Sequence, residues 1–514
     1  MQTSQNTDFD LIVVGGGPGG AACATFVAMQ GHRVLLLEKN VGPSFRIGES
    51  LLPVTIHGIC PLLGVSDAVK SANFISKTGG RFVWGHNKKP WDFFFSSSGQ
   101  YASPTSTAYQ VERMEFDQIL RANARDKGVD VREGHTAEEL LISNGHAAGV
   151  RYIDANGVSQ SSTSRYVVDA SGLQGCLARF AGRRLYSKFF QNVAIFRYYK
   201  GGERLPEPLA GNVFTVAFQH GWFWHIPLRN DLVSVGVVFG KEQSQGVKES
   251  GYDEVFEKFL HQCPEVEALL TNAERVTEGI YGVTRICQDF SYTSSAFYKN
   301  GLVLVGDTAC FIDPLFSSGV HLSTYSGLLA ARSINTRLRG ELSDAECFSE
   351  YEARYRREYL RFYDFLVAFY DAHQQDHSDF WSTRKVASSP EKMNREYIDL
   401  IAKPELEVDG DSGNINAFWK SRSDLSSRLF PEATNQSTSD ADAQRQRSRF
   451  LASLFRELTQ LQLQAILHEK RPSEKPIRAT GLIPSRDGFH WTFSNGVDQN
   501  AAAQSSAVDI EVVV

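Results

Sequence analysis

The chain has 514 residues, with 53 lysines and arginines against 59 aspartates and glutamates and a net charge of −6. That length exceeds one comfortable hydrophobic core, so two or three domains are expected and a single small binding module is excluded. The charge leaves no positive excess for a phosphate backbone, which removes nucleic acid as an expected partner. No apolar run approaches the roughly 18 residues that span a bilayer, so a soluble protein without integral membrane contact is expected.

The start, MQTSQNTDFD, has neither the basic opening nor the apolar stretch of a signal peptide. Seven cysteines, Cys23, Cys60, Cys176, Cys263, Cys287, Cys310 and Cys347, are dispersed without CxxC pairs. They fit neither a disulfide frame nor a zinc site, and reduced thiols in a cytoplasmic protein are expected.

In chain order, residues 10–38 have the pattern of a βαβ unit. An apolar strand (Leu11 to Val14) precedes a glycine turn, a helix of small residues (Ala21 to Met29) and a second strand (Val34 to Leu37). The spacing predicts a helix over Gln110 to Ala124 and a strand over Tyr166 to Val168 that ends in Asp169-Ala170-Ser171-Gly172. From about 186 to 298, alternating aromatic and β-branched runs such as NVAIFRYYK and LVSVGVVFG predict an antiparallel sheet. A strand Leu302 to Val305 then leads into Gly306-Asp307 and a helix from about Ser318 to Arg339, followed by helical sequence over 345–375.

Residues 403–445 are rich in Asp, Ser, Asn and Gln and predict loops. An amphipathic helix is expected from about Ser448 to Glu469, with weak order over the last twenty residues apart from VDIEVVV. The expected organisation is an α/β fold: a Rossmann-like dinucleotide domain over 8–185 and again 299–375, an antiparallel-sheet domain over 186–298, and a helical and loop region over 376–514.

The strand–turn–helix context makes Gly15-Gly16-Gly17-Pro18-Gly19-Gly20 more than a chance GxGxxG. Gly15 permits the tight turn, Gly17 lets backbone approach a pyrophosphate, and Gly20 lets helix and strand pack closely. Glu38 ends the second strand, where a carboxylate can accept both ribose hydroxyls. Gly306-Asp307, after an apolar strand and before a small-residue helix, is a second nucleotide signal. It resembles hydroxylase-type flavoproteins, in which such an aspartate holds the ribityl chain, and this favours FAD over NAD. Gln110, Arg113 and Asp169 occupy places that match FAD contacts of that fold, although each alone reads more often as a solvated helix face or a loop.

The stretch Gly221-Trp222-Phe223-Trp224-His225-Ile226-Pro227 matches the WxWxIP signature of flavin-dependent halogenases. Arg46-Ile47-Gly48-Glu49-Ser50-Leu51-Leu52-Pro53 and Asp313-Pro314-Leu315-Phe316-Ser317-Ser318-Gly319-Val320 resemble the same family, over roughly residues 8–375. The chain is most similar to the subgroup acting on phenols or carrier-bound aromatic acids, which has a lysine shortly before Gly-x-x-Phe-x-Trp-Gly. Lys77 stands there; without the resemblance it would read as a surface lysine.

The resemblance implies an enzyme that uses FADH2 from a separate flavin reductase, O2 and chloride or bromide. It assigns Gly15, Gly17, Pro18, Gly20, Glu38, Lys39, Arg46, Ser50, Gln110, Arg113, Asp169, Gly306 and Asp307 to FAD. It assigns the N–H groups of Ser318 and Gly319 to the halide, Lys77 to direction of the hypohalous acid, and Trp222, Trp224 and Phe316 to keeping substrate from the flavin. Tryptophan halogenases have a glutamate where this chain has Phe316. Without that carboxylate a ring carrying its own donor is expected, so the substrate reading is a phenol, free or on a peptidyl carrier protein. The alternatives are a single-component FAD-dependent hydroxylase and an inactive flavoprotein scaffold.

Overall fold

The computed structural model describes residues 7–85, 89–96, 106–288, 291–371, 440–467 and 481–493, with a few positions between 373 and 400. An eight-stranded sheet carries the nucleotide half. Its path runs Tyr298–Lys299, Leu302–Leu304, Ser159–Asp169, Phe9–Val14, Val34–Glu38 and Asp130–Glu133, with Thr136–Ser143 and His146–Ile153 attached to one side. Phe9–Val14 pairs in parallel with both Val34–Glu38 and Ser159–Asp169. Leu11, Ile12, Val13, Leu35, Leu36 and Leu37 are buried, as continuous apolar runs must be when helices cover both sheet faces.

The helix Pro18–Ala28 crosses from the first strand to the second, and Gly319–Arg339 lies against it. A Cβ on Gly327 would stand 2.5 Å from the carbonyl oxygen of Gly19, so these two glycines set how closely the helices approach. Both helices therefore begin at the same end of the parallel sheet, where ligands bind in doubly wound folds.

The second large sheet is mainly antiparallel: Glu274–Arg275, Asn192–Lys200, Leu232–Gly240, Gly221–Pro227, Val213–Phe218, Gly79–Val83 and Trp91–Phe94, with Arg285–Gln288 beside Asn192–Lys200. It takes two strands from before residue 186, so the sheet is not confined to 186–298. Gly79–Val83 joins Val213–Phe218 in parallel.

Three expected boundaries move. The helix predicted from Gln110 begins at Arg113, because Gln110 closes the short strand Ala108–Gln110 opposite Ile75–Lys77. Within the helical sequence of 345–375 the described helix is Asp344–Asp371. The amphipathic helix expected from Ser448 spans Asp440–Leu467, so residues 440–445, expected as loop, are helical. The remainder of 403–445 and the last twenty residues lie outside the described residues.

Candidate active site

A cavity of about 470 Å³ runs between the parallel sheet and the second sheet. At one end it is lined by the glycine turn. Gly15 has φ +104°, and a Cβ there would stand 2.4 Å from the carbonyl oxygen of Ala170, so only glycine fits. Gly20 does not reach the cavity; its missing Cβ would lie 2.0 Å from Gly15 O, which makes it a packing glycine. Gly17 differs from both: it lines the cavity, caps the helix Pro18–Ala28, and has no atom within 4 Å of a Cβ position. The space a side chain would fill is open in front of a helix N-terminus, as a pyrophosphate requires.

Glu38 lines the same end. Its Oε2 accepts from the N–H of Gly16 at 2.8 Å, and its Oε1 accepts from the backbone and side-chain nitrogens of Asn40 at 3.0 and 2.8 Å. Those donors orient the carboxylate and leave lone pairs for hydroxyl groups. Lys39 and Arg46 also line the cavity, Lys39 donating to Gln174 Oε1 at 2.9 Å and Arg46 to its neighbour's carbonyl, Phe45 O, at 2.7 Å.

Toward the middle, Arg113 is held bidentate by Asp117 (2.9 and 3.0 Å) and donates to Ile47 O at 2.6 Å. Asp307 faces the cavity, and its carboxylate accepts no hydrogen bond among the described residues. Burial pushes its carboxyl up to about 6, opposed by Arg113, Arg184 and Arg46. A carboxylate left with free acceptors in a cavity suits the hydroxyl groups of a sugar-like chain. Glycine turn, Glu38 and Asp307 together fit the two ends and the linker of FAD.

The far wall is the strand Gly221–Pro227, all seven residues buried. Alternation along the strand turns Trp222, Trp224 and Ile226 to the cavity and Phe223 to the opposite core with Phe218 and Phe256. Trp224 lies over Gly236 on the paired strand, where a Cβ would meet its ring at 2.1 Å. Opposite stands the start of Gly319–Arg339. Gly319 and Ser317 line the cavity, and first-turn amides have no acceptor inside their own helix. Ser317 adopts a left-handed φ of +59° that turns the chain from the 3-10 turn Pro314–Phe316 into this helix.

Lys77 sits behind this wall rather than in it. It is 2% exposed, and its Nζ donates to Ser50 Oγ at 2.8 Å, Leu51 O at 3.0 Å and Ser317 Oγ at 3.4 Å. Ser50 and Ser317 both line the cavity, so two hydroxyls separate the amine from it. Burial lowers the Lys77 pKa to about 7. At that burial Lys77 is not a surface lysine.

Several expected contacts are placed elsewhere. Asp169 is fully buried beneath the cavity wall, and its oxygens accept from Ser171 Oγ (2.6 Å), Ser171 N (3.0 Å) and Leu177 N (2.8 Å); it shapes the following turn. Gln110 donates to Gly211 O at 3.1 Å and lies outside the cavity lining. Gly306, with φ +65°, gives close passage to Ser323. The Ser318 hydroxyl is buried away from the cavity without a partner among the described residues. Phe316 does not shield the cavity: the turn that sends Ser317 inward sends its ring into a cluster with Phe82, Phe365, Phe369 and Phe455.

Glu49 was not distinguished by sequence reasoning. It lines the cavity, accepts a hydrogen bond from the Tyr198 hydroxyl, and burial raises its pKa against that hydrogen bond. Its position in the Arg46 to Pro53 stretch was the available signal; its partner lies 149 residues away.

A model of the tryptophan halogenase family matches residues 10–104 and 99–425. A protein of Chondromyces crocatus named tryptophan 2-halogenase is 33% identical over 389 residues, covering 75% of this chain and 72% of its own. The flavin-dependent halogenase armH3 of Armillaria mellea is 30% identical over 390 residues, covering 72% and 76%. Among solved structures, the myxobacterial chondrochloren halogenase CndH, described as a variant of FAD-dependent halogenases, is 45% identical with a TM-score of 0.74 and covers 94% of this chain and 99% of its own. The flavin-dependent halogenase CmlS is 28% identical with a TM-score of 0.73, covering 95% and 84%. No helix among the described residues is long and apolar enough to cross a membrane. With a glycine cradle, a free carboxylate and a tryptophan wall around one cavity, and these relatives alongside, the chain belongs to the tryptophan halogenase family of FAD-dependent enzymes.

Proposed function

We propose that the protein halogenates a phenolic ring, tyrosine-like or hydroxyphenyl-acid-like, using FADH2 from a separate flavin reductase, O2, and chloride or bromide. The substrate is free or carried on a peptidyl carrier protein. The observation that carries this reading is Lys77, a buried amine held behind the cavity wall by the hydroxyls of Ser50 and Ser317.

FAD would be held by the Gly15–Gly20 turn, Glu38, Arg46, Arg113 and Asp307, and when bound and reduced it supplies the reaction with O2 that turns halide into an electrophilic oxidant. The first-turn amides at Ser318 and Gly319, with the helix dipole behind them, attract the halide. Trp222 and Trp224 fill the wall through which an organic ring would otherwise reach the flavin. Lys77 directs the hypohalous acid: as an ammonium it can turn the N–H of its long 3.4 Å contact with Ser317 Oγ to the acid, and as a neutral amine it takes the halogen from the acid to form a haloamine with release of water. With a pKa of about 7, both forms are present at neutral pH. Residues beyond 375, of which Phe455 already joins the rings beside Phe95 and Phe316, would form the surface that recognises substrate or carrier.

A second substrate reading has one specific support, the name tryptophan 2-halogenase carried by the Chondromyces crocatus relative. The aromatic hydroxylase is not favoured, since the relatives named above are halogenases. The test incubates the protein with a flavin reductase, NADH, FAD and each halide, offering a hydroxyphenyl acid, its methyl ether and tryptophan, each free and carrier-loaded. Mass spectrometry should show the halogen isotope pattern on the phenol and much less on the ether. Efficient turnover of tryptophan, or equal turnover of phenol and ether, would overturn the phenolic assignment. Substrate-stimulated NADPH oxidation by the protein alone would move it to the hydroxylases.

A further inference from the structure

Trp222 and Trp224 stand two residues apart and both face the cavity, yet they are held differently. Trp224 Nε1 donates to Ser234 Oγ at 3.2 Å, within its own sheet. Trp222 Nε1 donates to the hydroxyl of Tyr370 at 2.6 Å, near the end of the helix Asp344–Asp371. That hydroxyl in turn donates to Oδ2 of Asp313 at 2.9 Å, which also accepts from Asn192 Nδ2 at 2.8 Å. The second oxygen, Oδ1, accepts from the backbone N–H of Leu315 at 3.1 Å and caps the 3-10 turn Pro314–Phe316. One buried carboxylate thus serves two walls of the cavity, one with each oxygen.

We propose that Asp313 and Tyr370 are positioning residues that fix the tryptophan wall against the Ser317–Gly319 loop, so that the two sides of the cavity keep one geometry. The inference rests on the halogenation reading, in which halide and its oxidised form lie between those two sides. A hydroxyl is the only tyrosine group that can accept from an indole and donate to a carboxylate at once. Ring packing alone needs neither bond: Tyr370 already packs against Trp84, Phe190 and Trp381. Nor is a carboxylate placed in such a core without cost. Burial pushes the Asp313 carboxyl up to about 6, opposed by the hydrogen bonds from Asn192 and Tyr370 and by the Arg384 charge. Arg384 Nη2 also donates to Asn192 Oδ1 at 2.6 Å, so the network reaches beyond residue 375.

Tyr370→Phe keeps the ring and deletes the relay, leaving the Trp222 N–H buried without its acceptor. The variants are Tyr370→Phe, Trp222→Phe and the double variant. Flavin affinity is measured by fluorescence, the indole bands by near-ultraviolet circular dichroism of flavin-free protein, and coupling as halogenated product per flavin oxidised. Tyr370→Phe should keep FAD affinity within about twofold, weaken the indole bands, and lower product per flavin about tenfold, the scale of one orphaned buried donor. In the Trp222→Phe background it should change neither readout further, because its effect runs through Trp222. Unchanged bands and coupling in Tyr370→Phe, or equal losses in both backgrounds, would overturn the proposal.

If Tyr370→Phe does not fold, Asp313→Asn replaces it: one amide oxygen cannot accept from all three donors, so the same loss of coupling should appear, and retained coupling would overturn the proposal. Should the unaltered protein halogenate nothing, the halogenation reading fails, while the circular dichroism comparison still decides whether the relay fixes Trp222.

Discussion

The glycine turn and the surroundings of Lys77 are built on opposite principles. At the glycine turn the walls are backbone, assembled from near neighbours in sequence, Gly15, Gly17, Pro18 and Gly19, and the binding surface is what side chains leave open: Gly17 has nothing within 4 Å of its missing Cβ. Around Lys77 the walls are side chains brought from far apart. Ser50 and Ser317 lie 27 and 240 residues from Lys77, and Phe455 closes the ring cluster from the helix Asp440–Leu467. The comparison teaches that the glycine turn is set locally and is tolerant of distant change, whereas the amine's environment depends on several parts of the chain at once.

The largest effect should come from the distant contact. Phe455 is buried and packs on Phe93 at 5.0 Å and Phe365 at 5.6 Å. Phe455→Ala should cost about 3 kcal/mol of stability, read by chemical denaturation, while FAD affinity is kept. A loss of FAD affinity matching the loss of stability would show that the two regions are not separable.

Next, Lys77→Ala should lower halogenated product by about 100-fold, the scale of a positioned catalytic group, with FAD binding and FADH2 oxidation retained. Retained halogenation would remove Lys77 from the chemistry. The same residue gives a pH test on flavin-free protein. Burial lowers its pKa from 10.5 to about 7, so between those values the unfolded chain binds the extra proton and stability from this group rises with pH. Below about pH 7 both states are protonated, and the folded protein carries the full cost of a buried charge. Relative to Lys77→Met, the unaltered protein should therefore gain stability as pH rises from 7 toward 10, and a constant difference would mean the amine is not desolvated.

The smallest effect sharpens the local side. Gly17→Ala should weaken FAD binding about tenfold, because its methyl enters space a pyrophosphate would fill, with little change in melting temperature. Gly20→Ala should do the reverse, lowering the melting temperature through the clash with Gly15 O. Equal effects of the two on affinity would refute the division of roles.

The sequence by itself determined what repeats at short range. Continuous apolar runs gave the parallel strands, GxGxxG in its strand–helix context gave the nucleotide turn, and alternation in GWFWHIP set which tryptophans share a face. Such features depend on spacing along one element, which the sequence displays directly. Boundaries were less legible where two elements meet, as at Gln110, whose pairing with Ile75 across a short sheet ended the helical reading. Tertiary structure alone decided the rest. It withdrew Asp169 and Phe316 from the cavity, placed Lys77 behind two serines, and joined Trp222 to Asp313 through Tyr370. Each of those outcomes is set by which partner satisfies a buried polar group or which rings fill a space. Asp169's own partners excepted, those partners lie from 27 to 240 residues away, beyond the reach of local pattern.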